Sequence, residues 1–232
     1  MFFVHLGAGV GDQDKKTNFR CGFTEFIKKN YNTSSNAFIV EANPANIDKL
    51  KISYKNFKNV KIFNYAISSK DINNLTMYYA VEDFPHYQVC SSDKNHVKKH
   101  YPNSEIKNFS IETLSINSFL EKNSLFEIDY LSIDIEGLDY DVLMSIDFSK
   151  FNIKNISIEY IHLSRFQKKK LINFLKKNGY SYCGFGYDHN NFDFLFKKKK
   201  ILWNNFFSKT LYLISTKHYK FFNFLFINKK KN

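Results

Sequence analysis

The sequence predicts an α/β fold in which a mostly parallel sheet is covered by helices on both faces. Short apolar runs of β-prone residues alternate with longer amphipathic runs along most of the 232 residues, which is the pattern of repeated strand, helix and strand. A glycine-rich turn follows the first apolar run, at residues 7–11. That turn and the alternation together indicate a doubly wound, Rossmann-like sheet.

Seven apolar runs are predicted as strands of this sheet. Each is rich in branched or aromatic residues and is bounded by polar or glycine-containing segments. The predicted strands are 2–6, 37–41, 60–66, 128–134, 156–161, 180–186 and 192–196. The carboxyl ends of the parallel strands meet at one edge of the sheet, where ligands bind in this fold class.

Helices are predicted between strands, at 22–30, 44–54, 138–147 and 164–178. The second has Asn43 as its cap and Pro44 in its first turn, a typical helix start. The last carries an apolar stripe that includes Phe166 and Leu171, and it ends before Gly179, which suits a C-terminal cap.

The segment from Ser68 to Asn117 interrupts this alternation. It contains one predicted strand at 75–81, a polar loop with the sequence HYQVCSSDKNH, and an extended piece at 111–122 that turns into a helix. Because the segment follows the third strand, it lies at the ligand edge of the sheet. We expect this insertion to shape a substrate pocket.

Length and composition indicate one cytoplasmic domain of ordinary size. At 44% hydrophobic residues the chain can bury a core, and it has neither a run of 18 apolar residues nor a secretory pattern. Its three cysteines, Cys21, Cys90 and Cys183, are far apart and form no CxxC motif. We therefore expect neither a zinc site nor a disulfide framework.

The net charge of +12 does not indicate a nucleic-acid groove. Of the 34 basic residues 32 are lysine, and ten of them lie after Phe196, where no acidic residue occurs. The 24 basic and 22 acidic residues before that point leave the main body at only +2. A nearly neutral body with Arg20 and Arg165 as its two arginines gives no support for nucleic-acid binding.

The turn after the first strand reads Gly7-Ala8-Gly9-Val10-Gly11, with glycine at alternate positions. Glycine permits a sharp turn and lets a ligand approach the backbone closely. Glu41 ends the second predicted strand and can accept hydrogen bonds from both hydroxyl groups of a ribose. Alternatively, the pair is a tight turn and a solvated carboxylate, but their positions at successive strand ends favour a nucleotide-type cofactor site.

An acidic cluster follows the strand at 128–134, in the sequence YLSIDIEGLDYDVL. Asp139 and Asp141 stand at a helix start, where acids often serve as capping or dipole-complementing residues. Asp134 ends an apolar strand at the ligand edge, where an unpaired carboxylate is costly unless it has a partner or a function. We therefore predict that Asp134 and Glu136 belong to the active site.

These segments together resemble one known family. The series FVHLGAGVGD, VEANP, NYAISSKD, IETLSINSFL, YLSIDIEGLDYDVL, ISIEY and FLKKNGY...FDFLF is similar to the FkbM-type S-adenosylmethionine-dependent O-methyltransferases, in order over residues 2–197. The resemblance implies a class I methyltransferase domain with a seven-stranded sheet and an antiparallel last strand. It also implies S-adenosyl-L-methionine as cofactor and methylation of a hydroxyl, commonly on a sugar or a polyketide.

The resemblance further implies roles for single residues. The turn from Gly7 to Gly11 would face the methionine part of the cofactor, Glu41 the ribose, and the segment around Ala66 the adenine. Asp134 would lie near the sulfonium and the acceptor. The cofactor site would also include His5, Ala8 and Asn43. His5 and Gly9 depart from the family pattern, which usually has Asp and Asn at these positions.

A base that accepts the proton of the hydroxyl would assist methyl transfer. The candidates are His162, Glu159, Asp134 and Glu136, of which Asp134, Glu136 and His162 are our catalytic assignment. The remaining histidines of the loops, His86, His96, His100 and His189, are expected to be solvent-exposed. No metal-spacing motif is present, so we expect no metal.

Two other functional classes stay open at this point. One is an NAD-dependent or nucleotide-sugar oxidoreductase, which the G-x-G-x-G spacing and the lack of a suitable Tyr-x-x-x-Lys pair disfavour. The other is a non-catalytic module that binds the cofactor. The acceptor is expected to be a hydroxyl-bearing small molecule or a glycan.

The C-terminal segment 198–232 is predicted to be a separate, helical tail after the domain at 1–197. Its apolar residues recur at steps of three and four: Trp203, Phe206, Phe207, Leu211, Ile214, Phe222 and Phe226. Lysines flank them, as in helices that lie on the inner, anionic face of a membrane. Alternatively, the apolar stripe packs on the protein itself or on a second subunit.

Overall fold

The computed structural model describes residues 1–13, 21–85, 87–187 and 191–198. The predicted tail at 198–232 lies outside the described residues except for its first residue, and so do His86 and His189. Within the described ranges, none of the helices has the length and apolar character that crossing a bilayer would require.

The predicted fold class is confirmed. Seven strands form one sheet in the order β3-β2-β1-β7-β8-β10-β9, and every neighbouring pair from β3 to β8 is parallel. The last strand, β10, is antiparallel to β8 and to β9. The strands are β1 (Phe2–Leu6), β2 (Asn36–Val40), β3 (Val60–Phe63), β7 (Glu127–Ile133), β8 (Asn152–Glu159), β9 (Tyr180–Phe185) and β10 (Asp193–Lys198).

Helices cover both faces of this sheet, as predicted. The helices are α1 (Gly22–Asn30), α2 (Ile47–Tyr54), α4 (Ile116–Lys122), α5 (Asp139–Ser145) and α6 (Arg165–Lys177). Neighbouring residues of β1 point to opposite faces. Phe3 belongs to the apolar layer with α1 and α2, whereas Val4 belongs to the layer with α4, α5 and α6. Two apolar layers therefore hold the sheet between them.

The ends of the helices follow the sequence signals, with two corrections. Ser164 and Gln167 form a capping box at the start of α6. The predicted helix at 44–54 begins instead as a 3-10 turn at Pro44–Asn46, and α2 follows it. Phe166, predicted to lie on the apolar side of α6, is 65% exposed because it stands in the first turn, beyond the edge of the core.

The insertion folds as a second, three-stranded sheet, which the sequence did not predict. Its order is β4-β6-β5, with β4 (Ala66–Ser68) parallel to β6 (Ile106–Ser115) and β5 (Asn74–Ala80) antiparallel to it. A short helix, α3 (Lys94–His100), packs on β5 and β6. The polar loop therefore contains a helix.

The predicted strand at 60–66 is wrong as a single element. It breaks after β3, and the chain enters the second sheet as β4. Asn64 lies at the break, where its side-chain amide donates to the carbonyl oxygens of Glu41 and Ala42 at 2.9 Å. Because of these bonds, residues 64 and 65 leave the hydrogen-bonding pattern of the main sheet and cross the end of β2.

The register of the central strands aligns their carboxyl ends. Leu6 pairs with Val40 of β2 and with Ile133 of β7, and Ile133 pairs with Ile158 of β8. The next residue of each strand or turn is therefore at the same level, which brings Gly7, Glu41, Asp134 and Glu159 to one edge. This edge is the switch point of the sheet, where chain order reverses at β1.

Candidate functional site

A cavity of about 830 Å³ lies at this edge of the sheet. Its floor comes from the residues that follow β1, β2 and β7 and from the end of β8, and the insertion supplies a wall. Tyr65, Ala66 and Ile67, just before the insertion, begin this wall, and the insertion continues it with Met77, Tyr87, Gln88, Cys90 and His100. The prediction that the insertion shapes a pocket is thus confirmed, and Ala66 lies in the apolar part of that wall.

The glycines of the turn at 7–11 serve different purposes. A Cβ on Gly7 would lie 1.6 Å from the carbonyl oxygen of Asp134, so Gly7 allows β1 and β7 to meet. A Cβ on Gly11 would lie 2.6 Å from Oγ of Ser53 on α2. Gly9 has a φ of +54° and open space where a Cβ would be. The first and third glycines therefore pack the turn, and Gly9 leaves room for a ligand.

Glu41 is buried and holds the glycine turn through its carboxylate. Its Oε2 accepts from the backbone N–H of Gly9 at 2.8 Å, and its Oε1 accepts from the N–H of Asn43 at 2.7 Å. Burial raises the pKa of Glu41, and the two backbone hydrogen bonds partly offset this rise. The side chain of Asn46 lowers the pKa of Glu41 as well. Because a carboxylate has about four lone-pair positions, Glu41 can also accept from ligand hydroxyl groups.

Asn43 stands apart from the other predicted cofactor residues. Its side chain accepts from the N–H of Ala45 at 3.0 Å and so caps the 3-10 turn. Asn43 is buried, and it is not among the described residues that line the cavity. Its contact with the site is the backbone hydrogen bond to Glu41.

His5 lies beneath the cavity on β1, with 2% of its surface exposed. Its ring meets Phe23 edge-on, with centroids 5.0 Å apart, and its Nε2 is 3.8 Å from Sγ of Cys21. No described residue forms a hydrogen bond with its Nδ1. Burial lowers the pKa of His5 to about 3, so the ring is neutral at pH 7.

Asp134 follows β7 directly and lines the cavity, as predicted. Removal from water raises the pKa of Asp134 well above its usual range, and the carboxylates of Glu159 and Glu136 raise it further. Asp139, by contrast, is structural, because its carboxylate accepts from the N–H groups of Ile135 and Gly137 at 2.8 and 3.0 Å. It fixes the turn that presents Asp134 and Glu136.

Glu136 and His162 meet on the other side of Asp134. Nε2 of His162 is 3.9 Å from Oε2 of Glu136 and 3.6 Å from Oε1 of Glu159. Burial is the main factor that lowers the pKa of His162, and the nearby His96 and His100 lower it further. His162 is therefore neutral at pH 7 and can accept a proton or a ligand.

His96 and His100 join this group. Both lie on a helix and not in a loop as expected, and of the two His100 is exposed, as predicted, whereas His96 is half-buried. Both lie on α3, and Nε2 of His96 is 2.9 Å from Oε2 of Glu136. Their ring centroids lie 4.6 and 5.5 Å from that of His162. The signal in the sequence was their spacing of four residues, which puts both side chains on one face of a helix.

The charge of the cavity lining is strongly one-sided. Five acidic residues face it, namely Glu41, Asp134, Glu136, Glu159 and Asp193, and the described part of the lining contains no lysine or arginine. A lining of this charge attracts cations and repels phosphate groups. It suits a cofactor that carries positive charge better than a dinucleotide with its anionic pyrophosphate.

The solved structures that are similar to this chain include a fibrillarin and a precorrin methyltransferase. Fibrillarin from Aeropyrum pernix, solved with natively bound S-adenosyl-L-methionine, is 12% identical at a TM-score of 0.43, with 84% of this chain and 64% of fibrillarin covered. Precorrin-6y C5,15-methyltransferase from Geobacter metallireducens is 12% identical at a TM-score of 0.41, with 86% and 79% covered. This chain thus spans less than two thirds of fibrillarin.

The sequence comparison is more specific. No curated protein matches the sequence, but the family model of the methyltransferase FkbM domain matches residues 5–182. The matched range includes the glycine turn, Glu41, Asp134, Glu136 and His162, and it covers more than half of the chain. The chain therefore belongs to the FkbM methyltransferase family.

Proposed function

We propose that this enzyme transfers the methyl group to a hydroxyl oxygen of a neutral sugar or glycan. The observation that carries the proposal is the group of hydrogen-bond acceptors at the end of β7 and β8, formed by Asp134, Glu136, Glu159 and His162. Sugars present several hydroxyl donors in fixed directions, and carboxylates and a neutral imidazole accept from them. The one-sided charge of the lining supports a neutral acceptor over a phosphorylated one.

The residues of the floor fit S-adenosylmethionine. The free lone pairs of Glu41 suit the ribose hydroxyl groups, and the open space beside Gly9 suits the methionine part. The apolar wall around Ala66 and Met77 suits the adenine ring. The bound cofactor supplies a methyl group on a positively charged sulfur, and the carboxylate of Asp134 offers a counter-charge when ionised.

The remaining residues position the acceptor and receive its proton. A methyl transfer needs the acceptor oxygen about 3 Å from the methyl carbon and in line with the bond that breaks, so orientation provides much of the rate. Glu136 and Glu159 accept from neighbouring hydroxyl groups and fix that orientation. His162, neutral and within 4 Å of both carboxylates, takes the proton, and their negative charge stabilises the imidazolium that forms.

The alternative of an NAD-dependent oxidoreductase is not supported, because neither the family nor the charge of the lining agrees with it. A non-catalytic binding module would keep the floor and lack turnover. The proposal also includes a cytoplasmic location. In the described part of the chain Cys21, Cys90 and Cys183 form no disulfide, as is typical of a reducing compartment.

The test is methyl transfer from labelled S-adenosylmethionine to matched pairs of neutral and phosphorylated sugars. We expect label on the neutral member of a pair and at least tenfold less with Glu136→Gln, whereas Asp141→Asn, an exposed acid on α5, retains the activity. Transfer to phosphorylated sugars alone would contradict the neutral acceptor. Binding of S-adenosylhomocysteine without transfer to any hydroxyl would favour the non-catalytic module.

A further inference from the structure

Three histidines converge at the exposed edge of the cavity. His96 and His100 stand one turn apart on α3, and His162 follows β8 from the opposite side. Each offers a ring nitrogen, and the three nitrogen atoms lie within 4.8 Å of one another. The predicted proton acceptor is therefore part of a larger imidazole group.

We propose that His96, His100 and His162 bind a divalent transition-metal ion of the Zn²⁺ type, with an open coordination position toward the cavity. Imidazole nitrogen is a preferred ligand of such ions, and three histidines with one open position are a known arrangement for zinc that acts in catalysis. Two histidines four residues apart on a helix, joined by a third from another element, provide it here.

The distances are compatible with this site. Ligand nitrogens around a tetrahedral Zn²⁺ stand roughly 3.3 Å apart, given Zn–N bonds of about 2.0–2.1 Å. The three nitrogen atoms already lie within 4.8 Å, and His100 is exposed, so its side chain is free to turn inward. The remaining difference is about 1.5 Å, a distance that a change of side-chain torsion angles can cover.

The surrounding charge favours a cation at this place. Oε2 of Glu136 is 2.9 Å from Nε2 of His96 and 3.9 Å from Nε2 of His162, and Oε1 of Glu159 is 3.6 Å from Nε2 of His162. The negative charge of two carboxylates this close to the imidazoles attracts a divalent ion. Lys99 on α3 opposes a cation by its charge, and the two carboxylates counter it.

The backbone holds these elements together before any metal binds. Oγ of Ser91, which precedes α3, donates to the carbonyl oxygen of Glu136 at 2.6 Å. Ser91 also exchanges two backbone hydrogen bonds with Tyr78 of β5. Because α3 and the turn after β7 are tied in this way, the metal would find its ligands largely in place.

The open position determines how this proposal relates to the proposed methyl transfer. His100, His162 and Glu136 line the cavity, so an ion held there can accept an acceptor oxygen as a further ligand. A neutral imidazole has one free lone pair, so His162 cannot bind the metal and accept a proton at the same time. With the metal bound, Glu136 or Glu159 is the proton acceptor.

The experiment is an optical titration of the full-length, untagged, chelator-treated protein with Co²⁺, a spectroscopic substitute for Zn²⁺. We expect visible ligand-field absorption that saturates at one equivalent and disappears on addition of Zn²⁺, but not of Mg²⁺. His96→Asn, His100→Asn and His162→Asn should each weaken Co²⁺ binding at least tenfold, because even partners of ligands have effects of about 10–100-fold. Addition of azide should change the spectrum if a coordination position is open.

The control is Cys183→Ser, which removes a thiol on β9, away from the three histidines, and should leave Co²⁺ binding unchanged. Equal affinity in wild type and in the exposed-residue variant His100→Asn would overturn the site, as would absorption that follows Cys183. An azide-insensitive spectrum would overturn the open position. No cofactor or acceptor is present in this titration, so its outcome is independent of the proposed methyl transfer.

Discussion

The backbone N–H of Gly9 donates to the carboxylate of Glu41 at 2.8 Å, so the residue that follows β2 holds the turn that follows β1. The other carboxylate oxygen accepts from Asn43 at 2.7 Å. The carboxylate thus organises the floor of the cavity. Under the proposed function it would also accept from the ribose hydroxyl groups of the cofactor.

Glu41→Ala should therefore reduce both stability and cofactor binding. Two buried backbone N–H groups lose their partner, and each measured loss should be about 1–3 kcal/mol, the scale of hydrogen bonds to a charged group. Urea unfolding measures the first and calorimetric titration with S-adenosylhomocysteine the second. Glu112→Ala, at an exposed acid on β6, is the control and should change neither. Unchanged affinity in a folded Glu41→Ala protein would remove Glu41 from the cofactor site.

Alanine at Gly9 should permit folding, whereas alanine at Gly7 should prevent it. Gly9→Ala should fold with a loss of about 1–2 kcal/mol for its left-handed backbone, and its methyl group should weaken S-adenosylhomocysteine binding by filling the open space. Gly7→Ala should yield no folded protein, because its Cβ would lie 1.6 Å from a carbonyl oxygen. Circular dichroism and calorimetric titration measure the two effects, and unchanged affinity in Gly9→Ala would contradict the assignment of that space.

Asp134→Asn should reduce methyl transfer without reducing the stability of the protein. The folded-state pKa of Asp134 is raised, so its favourable contribution exists at low pH and is lost as the pH rises through that pKa. Removing the charge should thus leave the melting temperature at pH 7 unchanged or higher, while methyl transfer falls at least tenfold.

Asp139→Asn provides the matched comparison for that experiment. Asp139 holds two backbone N–H groups, so its substitution should lower the melting temperature. Wild-type turnover in a folded Asp134→Asn enzyme would show that Asp134 is not catalytic.

His5 should make the protein sensitive to acid. Its folded-state pKa is about 3, below an unfolded value of about 6.5, so its contribution to stability is complete above pH 6.5 and is lost as the pH falls toward 3. Between pH 7 and pH 5 this loss is about 2 kcal/mol. Urea unfolding at both pH values should show wild type losing that much more than His5→Leu. Equal losses in the two proteins would contradict the buried, neutral state of His5.

The predicted membrane contact of residues 198–232 can be tested by vesicle binding. Co-sedimentation with anionic vesicles should compare the full chain with a chain that ends at Lys198. The ten lysines after Phe196 include eight that the shorter chain lacks, each contributing about 1 kcal/mol near an anionic surface. We expect only the full chain to sediment. Equal binding by both chains would contradict the membrane contact.

The parallel sheet was predictable because its strands are short, continuous apolar runs separated by helix signals. β1 and β7 are examples: buried from Phe3 to Leu6 and from Leu131 to Ile133, they leave their next residues at the ligand edge. Asp134 and Glu41 were found for the same reason. Both follow directly after such a run, so position along the strand was enough to place them.

The imidazole group was not predictable by this route. His96 and His100 belong to a seven-residue helix in a polar segment, too short to show an apolar stripe. His162 joins them from more than sixty residues away in the chain, through the packing of the insertion against the end of β8. The break between β3 and β4 was not predictable for a similar reason, since Asn64 bonds to Glu41 and Ala42, which follow β2 and are distant in sequence.

The line of contact between Glu136 and the insertion, here called the seam, separates two parts of the cavity. Glu136 meets the insertion at two points, the hydroxyl of Ser91 and the ring of His96, and the cofactor floor lies on the other side of that seam. Residues 92–105, which carry α3, can thus be redesigned while the glycine turn, Glu41 and the wall residue Met77 stay as they are. This short segment is therefore the place at which a new acceptor preference could be introduced beside an unaltered donor site.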